Sequence, residues 1–428
     1  MHSSSFDHTI GPVKTKYSQL ILVLFLCSFT SFLCTCGRAE KSQEVRASNR
    51  QGVVTSNPVK EIVMDGLKRP WSMKFLSEQE ALLTEKDGEL LRINLETGTR
   101  EPVAGLPTDL ADSLRVDTLR MSRWDTYPSA HGHVGKFNAG LLEIALDYDF
   151  SENRKVYLSY VAQTSEFGYA LRVIRGTLTG NQLEDIDTLL TVPPFTPVMY
   201  HFGGGMTFGA DDKLYITAGE RLFWDSEQPP ETIAQNIRDP RGKIYRINPD
   251  GSIPEDNPDF GPGAVPGLYA IGIRAAQGLA LHPQTGQIWF TEHGTNQGDE
   301  LNLLQPSANY GWPIETTGKY RGGYAPPELN VVTTRPSWYW LQTVAPTGLA
   351  WYFGDEFPDW KGDLLVPGLS RGSLWRVRIE GETVKSLEEL LVDDRSRTRK
   401  VVVSPEGKIY LLTDEDDGKI IRVRNTNQ

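Results

Sequence analysis

Cysteine is all but missing from this chain. Its three copies, Cys27, Cys34 and Cys36, all precede residue 40. The remaining body therefore has neither a disulfide framework nor a cysteine-based zinc centre. Positive charge is also short. Lys and Arg number 44 against 55 Asp and Glu, a net charge of −11, and such a balance excludes a protein built to wrap nucleic acid. Long helical periodicity is nearly absent, and the one long apolar run falls short of the ~20 residues of a membrane span.

That run lies near the N-terminus. Lys14 and Lys16 precede "YSQLILVLFLCSFTSFLCTCG", a charged n-region followed by an apolar h-region. Residues 1–36 read as a signal peptide. "LCTCG" at Leu33–Gly37 resembles a bacterial lipobox, with Cys36 the candidate lipidated residue and ordinary cleavage nearby the alternative. Export follows in either case, to the periplasm or as an outer-membrane lipoprotein, with membrane contact only through that anchor. Residues 37–57 are polar and unpatterned, a flexible tether.

Glycine and proline are plentiful instead, 40 and 27 residues, and they punctuate a repeat. A turn ending in Gly precedes an alternating strand in "KDGELLRINLETG" (from Lys86), "DDKLYITAGER" (Asp211), "RGKIYRINPDG" (Arg241) and "TGQIWFTEHG" (Thr285). It recurs in "RGSLWRVRIEGE" (Arg371), "EGKIYLLTDE" (Glu406) and "DGKIIRVRN" (Asp417). A second element, "PWSMKFLSE", "GGGMTFGAD", "AQGLALHPQ" and "PTGLAWYFG", reads as the inner strand of each unit. Four-stranded units without intervening helices predict an all-β fold, a β-propeller spanning residues 58–428. At a usual blade length of about 40–60 residues, six to nine blades fit, and the long insertions favour six. A pair of antiparallel sandwiches is the weaker alternative. "VKEIVMDGL" at Val59 is placed to pair with the final strand and close the ring. The stretch Pro107–Phe137 is long for a blade connection, either a lid over the propeller mouth or a surface insertion.

His201 stands against Gly203, Gly204 and Gly205. The bare backbone invites close approach by a flat ligand, and a neutral imidazole can accept a proton near pH 7. A packed ring satisfied by a carbonyl is the alternative. Arg397 and Arg399 lie two apart, so an extended strand points both to one side, where planar guanidinium groups suit carboxylates. A solvated charge cluster with Arg395 and Lys400 is the rival reading. Arg274, read as lying in an apolar strand, is costly there unless paired. The Asp-rich run from Asn248 reads as turns rather than as a calcium loop.

Taken in order, "NAGLLEIALDYDFSENRKVYLSYV", "HFGGGMTFGADDKLYITAGER", "DPRGKIYRINPDGSIPEDNP", "GIRAAQGLALHPQTGQIWFTEHGTNQGDELNLL", "NYGWP" and "TVAPTGLAWY" resemble the soluble quinoprotein glucose and aldose sugar dehydrogenases over nearly all of Pro58–Arg424. The resemblance implies a six-bladed propeller that binds pyrroloquinoline quinone (PQQ) and calcium, oxidises the anomeric hydroxyl of an aldose, and passes electrons to an external acceptor. It implies His201 as the catalytic base and Arg274 as the group facing the quinone. Asn138, Tyr320, Arg397 and Arg399 become cofactor contacts. Gly294 and Thr295 offer backbone carbonyls to the active-site calcium, and Glu300 and Tyr310 belong to a second ion. Several positions depart from the family pattern. Ala275 stands for an asparagine, Ser370 for a carboxylate-binding lysine, Asn138 for a glutamine and Thr295 for a proline. These losses keep open a second possibility, a non-catalytic propeller that binds carbohydrate or protein, with the aromatics from Trp338 as stacking platforms.

Overall fold

The computed structural model describes residues 55–111, 139–164, 168–196, 200–221, 231–320, 328–393 and 395–427. The signal segment, Cys36, most of the tether, residues 112–137 of the insertion and Asn138 lie outside them.

Six four-stranded antiparallel sheets follow one another along the chain, the six blades read from the repeat. Blade 1 comprises Pro70–Phe75, Glu80–Glu85, Leu90–Asn94 and Arg100–Pro102. The inner strands of blades 2 to 6 are Leu141–Leu146, Gly203–Phe208, Ala276–Leu281, Ala350–Trp351 and Thr398–Val403. Blade 6 is completed from both ends of the sequence. Pro58–Leu67 pairs antiparallel with Gly418–Asn425, Pro58 opposite Asn425, so the first strand of the chain closes the ring as the outermost strand of blade 6. Among the described residues helix is confined to short turns such as Phe150–Asn153 and Glu231–Ala234. No helix among the described residues is long and apolar enough to cross a membrane.

A side-chain clasp ties each of blades 1 to 4 to the next. Near the end of the second strand sits a buried Ser or Thr whose hydroxyl reaches the adjoining blade. Thr84 donates to the Leu142 carbonyl (2.6 Å), Ser159 to Gly204 (2.6 Å) and Thr217 to Ala276 (2.9 Å). Thr291 donates to Thr347. These hydroxyls take up backbone groups that the blade contacts bury. Thr217 also accepts from the Gly205 N–H at 3.0 Å. Thr217→Val should therefore strand a carbonyl and an N–H and lower stability by about 1–3 kcal/mol. An unchanged midpoint in urea unfolding contradicts the clasp.

The three glycines beside His201 find their use here. A Cβ on Gly203 would lie 2.7 Å from the Thr217 carbonyl oxygen, on Gly204 2.8 Å from Leu142 Cδ1, and on Gly205 2.8 Å from the Gln277 carbonyl oxygen. Protein from blades 2, 3 and 4 fills the space that the sequence left open for a flat ligand. Close packing at the ring centre, where blades converge, makes that demand.

A buried ion pair crosses the centre. Lys400 of blade 6 donates from Nζ to Glu143 Oε2 of blade 2 at 2.6 Å. Ser72 of blade 1 donates to the other oxygen of Glu143 at 2.6 Å.

Candidate active site

Antiparallel pairing sends site residues to one end of the ring. The start of each inner strand lies beside the end of the second strand: Pro70 opposite Glu85, Gly203 opposite Ala218, Ala276 opposite Glu292, Thr398 opposite Thr413. Residues flanking these pairs share that end. They include Arg69, Trp71 and Lys86, His201 and Glu220, Arg274 and His293, and Arg397, Arg399 and Asp414.

His201 precedes its strand in the left-handed region, φ 51°, a costly conformation for a non-glycine residue. The chain holds it there. Gly219 N donates to the Phe202 carbonyl at 2.9 Å, and Arg221 N to the His201 carbonyl at 3.3 Å. His201 Nδ1 lies 2.6 Å from Oε1 of Glu220, whose side chain is 1% exposed. A carboxylate accepts and does not donate, so the ring proton sits on Nδ1 and Nε2 is the basic nitrogen. Neither the strand pattern nor the motif exposed Glu220. The cue was its place just past a second strand.

Arg274 lies between strands, in the link from Leu268–Ile271 to Ala276–Leu281, rather than within an apolar strand. Its guanidinium caps the Trp312 ring at 5.1 Å. Nη1 donates to the carbonyls of His293 (3.0 Å) and Gly294 (2.6 Å). Of the two carbonyls expected to meet calcium, that of Gly294 is thus turned to Arg274. The Thr295 hydroxyl donates to the Lys319 carbonyl. Tyr320 packs against Trp312, ring centroids 5.8 Å apart, and so stands on the Arg274 side.

Arg397 and Arg399 converge on one acid. Arg399 donates from Nη2 to Asp414 Oδ2 at 2.6 Å and from Nη1 to Gln277 Oε1 at 2.8 Å. Arg397 Nη2 lies 3.9 Å from the same Asp414 oxygen. Arg399 is buried with its guanidinium 3.9 Å from the Trp71 ring, and Arg397 is the more exposed of the two. Against the burial that would raise it, the Asp414 carboxyl is held far below the usual range by Arg399, Lys86 and Arg397. The pair is therefore a built cluster and not a solvated run.

The two halves meet at His293. Burial, then the nearby Arg274 and Arg399 guanidinium groups and His201, pull its imidazole down to about 3, so the ring is neutral. Its Nε2 and the Nε of Arg399 are enclosed and lack a hydrogen-bond partner among the described residues. The Arg399 Nε–H is a donor that an anionic ligand would complete, and the neutral His293 Nε2 is an acceptor for a ligand donor.

Next to Arg274 opens a small cleft lined by Glu292, His293, Gly294, Glu300, Tyr310 and Glu315, among others. Burial and then Glu300 raise the Glu292 carboxyl to about 8, and burial raises that of Glu300 to about 7. Glu300 and Tyr310 thus share one acidic cleft. Such a wall suits a hard cation with oxygen ligands. Among the described residues no group of three or more His, Cys, Asp or Glu side chains is disposed as a metal-ligand set.

Two other expectations are settled by position. The run from Asn248 is turn chemistry: Ser252 N donates to Asp250 Oδ1 at 3.0 Å, and Arg246 grips Asp256 at 2.7 Å. The Trp338–Trp340 strand is the outermost of blade 4, with Trp340 in the core and Trp338 and Tyr339 exposed.

A six-bladed ring closed by its own first strand, with an imidazole–carboxylate pair and a guanidinium cluster at one end, is the frame of a sugar-oxidising propeller. The chain belongs to the glucose/sorbosone dehydrogenase family, whose profile matches residues 67–422. It is 31% identical to the aldose sugar dehydrogenase YliI of Escherichia coli over 375 residues, 86% of this chain and 93% of that protein. It is 26% identical to quinoprotein glucose dehydrogenase B of Acinetobacter calcoaceticus over 445 residues, 84% and 87% of the two chains. The crystal structure of the soluble aldose sugar dehydrogenase of Escherichia coli in its apo form superposes with a TM-score of 0.74 at 30% identity, covering 86% of this chain and all 100% of that one.

Proposed function

We infer that this protein is a PQQ- and calcium-dependent dehydrogenase that oxidises the anomeric hydroxyl of aldose sugars. The observation that carries the reading is the His201–Glu220 pair at 2.6 Å and, at the same end of the ring, Arg399 held by Asp414 and Gln277 with its Nε enclosed and unsatisfied. That arrangement puts a proton acceptor and anion-binding groups at one mouth.

The donor set fits the cofactor. PQQ carries three carboxylates, and Arg397 and Arg399 present planar donors, the Nε of Arg399 being enclosed and unsatisfied. When bound, the quinone supplies the hydride acceptor. His201 Nε2 takes the hydroxyl proton, and Glu220 keeps the ring oriented and stabilises the imidazolium that results. Arg274 brings a fixed positive charge to the place where negative charge develops. The Thr295 carbonyl, and that of Gly294 once released by Arg274, are the proposed ligands of the active-site calcium, and Glu300 with the Tyr310 carbonyl those of a second ion. Export, through the N-terminal segment and with an anchor at Cys36, remains part of the proposal, as does an external electron acceptor.

The test is to titrate the cofactor-free body with PQQ and calcium and to follow dye reduction across a panel of aldoses. A calcium-dependent quinone complex that turns over a sugar is expected. Sugar binding without quinone uptake would instead indicate the non-catalytic propeller.

A further inference from the structure

Asp299 opens the third strand of blade 4, Asp299–Leu303, and is 3% exposed. A buried carboxylate is costly unless hydrogen bonds surround it. Its partners are three backbone N–H groups from two separate loops. Oδ1 accepts from Gly294 N, and Oδ2 from Val344 N and Ala345 N, each at 2.8 Å. The first loop carries the carbonyls assigned to calcium. A trans peptide turns its N–H and its C=O to opposite sides. With Asp299 behind the His293–Gly294 peptide, the His293 carbonyl faces Arg274, which donates to it at 3.0 Å. The loop is folded tightly there: a Cβ on Gly294 would lie 2.3 Å from the Gln297 carbonyl oxygen. The second loop reaches the guanidinium side. Ala345 holds φ 50°, which a non-glycine residue adopts only with support. Its carbonyl accepts from Leu369 N (3.2 Å), and that of Val344 from Ser370 N (3.1 Å). The Leu369 carbonyl accepts from Arg397 Nη1 at 3.5 Å. One carboxylate thus ties the loop of Gly294 and Thr295 to the loop beside Arg397.

We propose that Asp299 is the positioning residue of the calcium site, its carboxylate holding the Gly294 N–H so that the carbonyls of this loop are presented to the ion. The inference rests on the calcium and quinone reading above. A loop already anchored loses little conformational freedom when a cation takes its carbonyls, whereas an unanchored one must be ordered at that moment. A carboxylate that accepts the N–H also polarises the peptide whose carbonyl side meets the cation. Asparagine breaks this arrangement with almost no change of shape. Its amide has one acceptor oxygen and two N–H donors, so either Gly294 or the Val344–Ala345 pair meets an N–H in place of an oxygen.

The experiment strips calcium from the full chain with a chelator and follows PQQ uptake by absorbance as calcium is returned. The unaltered chain should take up quinone with a defined half-saturating calcium. Asp299→Asn should need roughly 10- to 10²-fold more calcium and reach the same final uptake once calcium saturates. Thr217→Val, which loses stability at a blade clasp, is the control and should keep the calcium requirement of the unaltered chain. If Asp299→Asn stays within about threefold, or if excess calcium does not restore uptake, Asp299 does not position the site and the cofactor reading stands. An equal rise in Thr217→Val would mark general loosening and overturn the proposal in the same way. If the unaltered chain takes up no quinone at any calcium, the reading falls and this inference with it. Should Asp299→Asn not fold, amide exchange in the unaltered chain with labelled glycine decides the matter. The Gly294 N–H should be protected with and without calcium, and free exchange overturns the proposal.

Discussion

Replacing His201 with Asn should lower kcat by roughly 10²–10⁴-fold while leaving quinone uptake intact. Asparagine is the right probe because position 201 has φ 51°, and Asn tolerates the left-handed region better than alanine does. The loss belongs to the proton transfer: with no basic nitrogen beside Glu220, the sugar hydroxyl must ionise unaided. Glu220→Gln should fall between the two, on the order of 10- to 10²-fold, because the ring survives but its partner no longer fixes the tautomer. Steady-state dye reduction at saturating sugar and cofactor measures both. A His201→Asn enzyme within tenfold of the original would remove the imidazole from the chemistry.

Lys400→Met should be the most damaging single change to stability, at about 3–5 kcal/mol. It strands the Glu143 carboxylate, whose side chain is 2% exposed, with Ser72 as a hydroxyl donor. Lys74 stands close enough to act on the same charge cluster, which places the expected loss toward the lower end. The double change Glu143→Leu with Lys400→Met should recover most of it, since neither charge is then buried alone. Guanidinium unfolding of the three variants reads the result, and equal midpoints for the single and double variants would contradict the ion-pair account. Against a typical total of about 5–15 kcal/mol, the single change is a large fraction.

The architecture was legible because a propeller writes its repeat into its turns. The Gly-ended turns, the inner-strand phrases and the closing strand at Val59 all map to strands in the expected places. The site was legible only where a residue type announced itself. His201 and the Arg397–Arg399 pair stood out as chemistry. Their partners did not. Asp414 and Lys86 follow a second strand directly and Glu220 lies two residues past one, and a local pattern does not reveal which strand ends gather at one mouth. The same limit explains the glycines beside His201. Sequence shows a missing side chain but not what fills the space, and here neighbouring blades fill it. Arg274 was misplaced for the reverse reason: "GIRAAQGLAL" reads as one extended run, while the fold breaks it at the crossing between blades.

Joining Pro58–Leu67 to Gly418–Asn425 also imposes a timetable on biosynthesis. The earliest strand of the ring has no mate until the ribosome has made some 350 further residues, roughly 20 to 70 seconds at ordinary elongation rates. Its sequence, PVKEIVMDGL, carries three charges within ten residues, which keeps the waiting segment soluble and discourages pairing with a neighbouring nascent chain.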